Sequence, residues 1–128
     1  MSDKGSALAA ADVIPVIAVP KGNMVLNAGI EVDTASDGST FTVDLGMVDA
    51  DVFVDGFDAT SAAAVVAQNP AAYQPVMAVA DDNIDLTIAT LSGGAVSTGK
   101  LRIWAVMMDC SDMGQDMTAN EVDRDYLA

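Results

Sequence analysis

The run Leu101-Arg102-Ile103-Trp104-Ala105-Val106-Met107-Met108 constrains the fold of this chain more than any other stretch. Side chains alternate across a strand, so Leu101, Ile103, Ala105 and Met107 share one face, and Arg102, Trp104, Val106 and Met108 the other. Three of that second set are apolar too. A strand apolar on both faces needs cover on both, and the core of one small sandwich covers only one. The run from Val13 to Val19 has the same two-faced character, with Val13, Pro15, Ile17 and Val19 alternating with Ile14, Val16 and Ala18. Pro15 and Pro20 lack an N–H, which confines that run to the edge of a sheet or shortens it.

Other segments are one-sided. Met24, Leu26, Ala28, Ile30 and Val32 form an apolar face against Asn27, Gly29, Glu31 and Asp33, with only Val25 out of place. Phe41, Val43, Leu45 and Met47 oppose Thr42, Asp44 and Gly46 in the same way. Ser36-Asp37-Gly38-Ser39 between them predicts an antiparallel hairpin, because Asp-Gly supplies the positive φ of a tight turn. Val76 to Ala80 is a short run, and Ile84, Leu86 and Ile88 alternate with Asp85, Thr87 and Ala89. The Gly- and Ser-rich stretch 92–99 predicts a hairpin loop into a final strand over 100–109. Thr60-Ser61 ahead of the Ala- and Val-rich 62–68 can cap one short helix, stopped by Asn69-Pro70, although Val65-Val66 fit a strand equally well. Short strands at even spacing with turn signals between them specify an all-β fold, an antiparallel sandwich or barrel with at most one short helix. The organisation expected is an N-terminal arm over 1–11, one β-domain over 12–109 and an acidic C-terminal tail over 110–128.

Charge excludes whole classes of function. The chain of 128 residues has 19 acidic residues, five basic ones and no histidine, a net charge of −14. Phosphate backbones are bound by clustered Lys and Arg, so no nucleic-acid partner is expected, and none in an anionic membrane. Without histidine there is no Ser-His-Asp or Cys-His nucleophile and no imidazole general base. No cofactor motif is present, and Gly93-Gly94 leads into a strand rather than the helix that a phosphate loop requires. The chain is therefore not expected to be an enzyme. Cys110 stands alone between Asp109 and Asp112, the setting of an inert thiol rather than a reactive one. The first six residues lack a basic region and apolar core, and no run reaches the ~18 apolar residues of a membrane span, so synthesis in the cytoplasm is expected.

Two weaker signals remain. Asp49, Asp51, Asp55 and Asp58 crowd one segment and are candidate oxygen ligands for calcium. The EF-hand pattern fails there, because counting from Asp51 the third position is Phe53 and the twelfth Ala62. Solvated acidic turn residues are the simpler account. Of the eight methionines, Met24, Met47 and Met107 fall on expected core faces, whereas Met108, Met113 and Met117 fall on the outer face or in the tail.

The run Asp12-Val13-Ile14-Pro15-Val16-Ile17-Ala18-Val19-Pro20-Lys21-Gly22, followed by Met24 to Thr34, resembles the opening of small tailed-phage virion proteins. Phe41 to Gly46 resembles their Thr-rich strand ending in Asp-Leu-Gly, and Asp49 to Asp58 their Asp-rich segment with Asp-Gly-Phe. Ala80-Asp81-Asp82-Asn83-Ile84-Asp85-Leu86-Thr87 and Lys100-Leu101-Arg102-Ile103-Trp104-Ala105 are similar to the two later strands. The likeness covers about residues 12 to 109, and the acidic tail after Cys110 falls outside it. It implies a capsid decoration (cement) protein of a bacteriophage, with a jelly-roll-like β-sandwich that sits as a homotrimer on the outer capsid surface. The implied partner is the major capsid protein, and the implied location is the virion.

Joined to the two-faced strands, the resemblance suggests a subunit interface of Ile14, Val16, Arg102, Trp104, Val106 and Met108, with the first and last strands side by side. Each fully buried large apolar side chain there contributes roughly 1.5–3 kcal/mol. Acidic repulsion opposes this, screened beyond ~8 Å at physiological salt. Two other readings stay open. In one, the last strand is central in a sandwich and its outer face is covered by the chain's own tail or helix. In the other, the protein is a carbohydrate- or host-binding module of a phage head or tail fibre, with Trp104, Tyr73 and Phe57 as candidate glycan contacts.

Overall fold

Eight strands account for the alternating runs of the sequence, and no helix occurs among the described residues. The structure is a computed structural model that describes residues 7–68 and 74–111. The strands are β1 (Val13–Val19), β2 (Asn23–Thr34), β3 (Thr40–Gly46), β4 (Val54–Asp58), β5 (Val66–Gln68), β6 (Val76–Met77), β7 (Asp82–Ser92) and β8 (Lys100–Asp109). One antiparallel sheet has the order β1-β7-β3-β4. In the other, β2 pairs along one side with β8 and along the opposite side with β5 and β6. The two sheets pack face to face as a β-sandwich. The chain crosses from sheet to sheet after β1, β2, β4, β6 and β7.

The core between the sheets is wholly apolar. Val25, Ala28, Ile30 and Val32 of β2 meet Val43 and Leu45 of β3 and Ile84, Leu86 and Ile88 of β7, with Phe53 fully buried beside them. No polar or charged residue is buried among the described residues. Leu8 also packs on this core, and Cys110 is buried, its N–H donating to the carbonyl of Gly22.

Two predicted hairpins do not form. β2 and β3 lie in different sheets, so Ser36-Asp37-Gly38-Ser39 is a bridge between layers rather than a tight turn. The local reason is that Asp37 spends its carboxylate elsewhere, accepting from the Ser97 hydroxyl and from the N–H groups of Ser97 and Thr98. Gly38 is not among the glycines with positive φ. β7 and β8 are likewise in different sheets, so 93–99 arches over the end of the sandwich.

The expected helix over 62–68 is also absent. Asp58 takes up the N–H and hydroxyl of Thr60 in a turn, and Ala64 has a φ of 70°, which no helix contains. β-branched Val65 and Val66 then extend β2's neighbour, where Ala64 N–H donates to the Val32 carbonyl and Val32 N–H to that of Val65.

A bulge alters the face assignment of β2. The pairing with β8 slips between Val25 and Asn27, so Val25 turns inward and is fully buried. Met24 and Leu26, read from the sequence as core residues, are thereby turned to the outer face.

Candidate functional site

The outer face of the β8–β2 sheet gathers most of the residues that the sequence left without a covering layer. Along β8 it carries Arg102, Trp104, Val106 and Met108, paired across β2 with Glu31, Gly29, Asn27 and Met24. Gly29 explains how a tryptophan fits there. A Cβ built on it would sit 2.6 Å from Cζ2 of Trp104 and 2.6 Å from the carbonyl oxygen of Ala67. The indole therefore lies against bare backbone and is half-buried. Beyond it, Val106 is 50% exposed and Met108 42%. Met24 lies between Met108 on β8 and Met77 on β6, which makes a row of three methionines across the sheet. Leu26, at the bulge, adds an exposed apolar side chain.

The other end of this face is electrically neutralised. The Arg102 guanidinium reaches Glu31 at 2.8 Å and Asp33 at 3.5 Å, and the Lys100 ammonium reaches Asp33 at 3.1 Å. These exposed pairs contribute little stability, about 0–1 kcal/mol each. They do cancel local charge on a strongly acidic chain. The Oδ1 of Asn27 is buried without a hydrogen-bond partner among the described residues.

The structure does not bring β1 to this surface. β1 is an edge of the other sheet, so it is not side by side with β8. Ile14 pairs with Leu86 and packs against the chain's own core, as does Val16 at a bulge between Pro15 and Ile17. What β1 turns outward is Val13, Pro15 and Ala18. This bulge breaks the period of two in β1 as the other does in β2. A misplaced apolar residue such as Val25, interrupting an otherwise clean alternation, was the available signal.

Of the four aspartates, Asp49 and Asp51 are hydrogen-bonded neighbours with Asp55 near them, whereas Asp58 is engaged by Thr60. Asp51 has its carboxyl held above the ordinary carboxylate range, first by a hydrogen bond to Asp49 and then by the charges of Asp49 and Asp55. Asp58 is pulled the other way, toward lower values, by the hydroxyl and N–H of Thr60. Among the described residues no group of three or more acidic, His or Cys side chains is arranged to hold a metal ion. Asp49 and Asp51 lie in the turn between β3 and β4, and Asp55 and Asp58 lie on β4 itself.

A cleft of about 280 Å³ opens at the end of the sandwich between Leu8, Phe41, Val96 and Leu101. Its polar lining consists of Thr34, Ser36, Ser97, Thr98 and Lys100, and the Ser97 hydroxyl donates to the Asp37 carboxylate beside it. Of the aromatic residues considered as glycan contacts, Phe57 is buried at 8% exposure, Trp104 is laid flat on Gly29, and Tyr73 lies outside the described residues. Met113 and Met117 lie outside them as well.

Comparison with known proteins gave no match: no family model, no curated protein and no solved structure is significantly similar to this chain.

Proposed function

We propose that this protein is a structural, non-enzymatic docking protein of a phage virion, a capsid decoration (cement) protein that binds the outer surface of the major capsid shell and braces it. One observation carries the reading. The outer face of the β8–β2–β6 sheet presents Trp104, Val106, Met108, Met24 and Leu26 with no covering layer among the described residues. A contiguous exposed apolar patch on a small domain marks an interaction surface. Its methionines adapt to irregular partners. The net charge of −14 keeps the free protein soluble and suits a partner surface with a basic rim. The sequence resemblance supplies the kind of partner, a capsid lattice.

The test is co-sedimentation of the purified protein with expanded capsid shells stripped of decoration protein. Binding that saturates at a fixed ratio to the major capsid protein is expected. Leu26→Asp, at an exposed position, is expected to weaken it about tenfold or more. No saturable binding would remove the shell reading. Binding undiminished by Leu26→Asp would move the contact off this face.

A further inference from the structure

We propose that β8 pairs edge to edge and antiparallel with β8 of a second copy of this chain, so that the β8–β2 sheet runs on across a two-fold axis near Trp104 and Ala105. The inference stands apart from the shell reading and depends only on how the sheets end.

A strand edge with unpaired N–H and C=O groups is a template for another strand unless it is shortened, bulged or interrupted by proline. Every other edge here is managed in one of those ways. β1 carries Pro15, has Pro20 just beyond its end, and bulges between Pro15 and Ile17. β4 has five residues, with Gly56 at a positive φ of 63° and a register shift against β3. β5 and β6 have three and two residues. β8 alone has ten residues and no proline, and among the described residues it pairs on one side only, with β2.

Charge selects the occupant. Two acidic chains repel, but Lys100 and Arg102 lie on this strand and neutralise Asp33 and Glu31 beside it. β8 is therefore an edge at which a second copy meets little net charge. The strand is also self-complementary. Antiparallel pairing keeps residues of equal parity on one face, so registers centred on Trp104 or Ala105 join the Arg102-Trp104-Val106-Met108 faces of both copies. Trp104 leans toward Gly29, away from the free edge, and leaves room for a neighbouring backbone. A two-fold pair uses one such edge per chain and closes. A threefold ring built by strand pairing would need a second receptive edge, which the prolines of β1 withhold.

Native mass spectrometry and amide hydrogen exchange on the full chain, from low micromolar to submillimolar concentration, test this. The expected result is a dimer, with protection of alternate β8 amides that rises with concentration. Val106→Asp, at a half-exposed position, is expected to raise the dissociation constant about tenfold or more. Val48→Asp, equal in charge but on a loop residue 89% exposed, is expected to leave it within about twofold. Thermal melting by circular dichroism verifies that both variants fold. A monomer at every concentration overturns the proposal, as does a trimer, or a dimer whose β8 amides gain no protection. β8 amides equally protected at all dilutions would mean that the chain covers its own edge, and this too overturns it. A monomer that still saturates capsid shells would overturn the dimer and leave the shell reading intact.

Discussion

Trp104 and Gly29 act as one unit. The indole covers the space a side chain at position 29 would occupy, and the glycine lets an aromatic ring lie flat on a sheet whose outer face is otherwise open. Gly29→Ala places a methyl 2.6 Å from both the indole and the Ala67 carbonyl oxygen, so the ring or the β5 backbone must move. A loss of about 1–3 kcal/mol is expected, typical of overpacking. Urea denaturation measures it, and a red-shifted tryptophan emission reports the displaced ring. Asp37 works through polarity instead. Its carboxyl is held at about 2, below the ordinary 3.8, first by the Ser97 hydroxyl and then by the Thr98 and Ser97 N–H groups. A depressed carboxyl stabilises the fold above its unfolded pKa, and that contribution is lost as pH falls from near 3.8 through about 2. Asp37→Ala is expected to flatten the melting temperature against pH across that window. A wild-type slope retained in the variant would mean that other carboxylates dominate acid unfolding.

At the scale of elements, the strands were legible and their partners were not. Val13–Val19 and 100–109 coincide with β1 and β8 because unbroken β-branched and apolar runs leave few other conformations. The hairpin expected at Asp37-Gly38 failed because the Asp37 side chain bonds residues 60 positions away, a contact that no local pattern encodes. The docking face was legible in part. Trp104, Val106 and Met108 were read from alternation, whereas Met24 and Leu26 were hidden by a one-residue bulge that reverses the parity of everything before it. Two connections carry testable cost. Ala64 enters β5 at a φ of 70°, a conformation that costs a non-glycine residue about 1–2 kcal/mol. Ala64→Gly is expected to stabilise the protein by about 1 kcal/mol or less after its own chain-entropy cost, read from the midpoint of urea unfolding. Between β3 and β4, Asp51 is raised above the ordinary carboxylate range by Asp49. A raised carboxyl opposes folding while it is ionised and ceases to do so as pH falls through its folded pKa. Asp49→Asn is accordingly expected to raise the melting temperature at neutral pH, with the gain vanishing in acid.

The whole molecule sets a short-range preference for contact against a long-range repulsion. The net charge of −14 acts on every approach, while the β8 edge and the outer face beside it are apolar or locally neutral. Salt separates the two. Raising ionic strength from about 0.01 M to about 1 M shortens the screening length from roughly 30 Å to roughly 3 Å. Acidic self-repulsion then fades within each chain and between copies, whereas backbone pairing and apolar burial do not. Melting temperature and self-association are therefore both expected to rise with sodium chloride. The exposed bridges from Arg102 and Lys100 pull in the opposite direction, because salt weakens them too. They are few, and their partners remain close when screened, so the net charge wins. With no histidine in the chain, no side chain titrates at its ordinary pKa between pH 6 and 8. The salt effect should keep the same size across that interval. A melting temperature that falls with added salt would show that the local ion pairs outweigh the global charge. The neutrality of the β8 edge would then be a source of stability rather than a condition for contact.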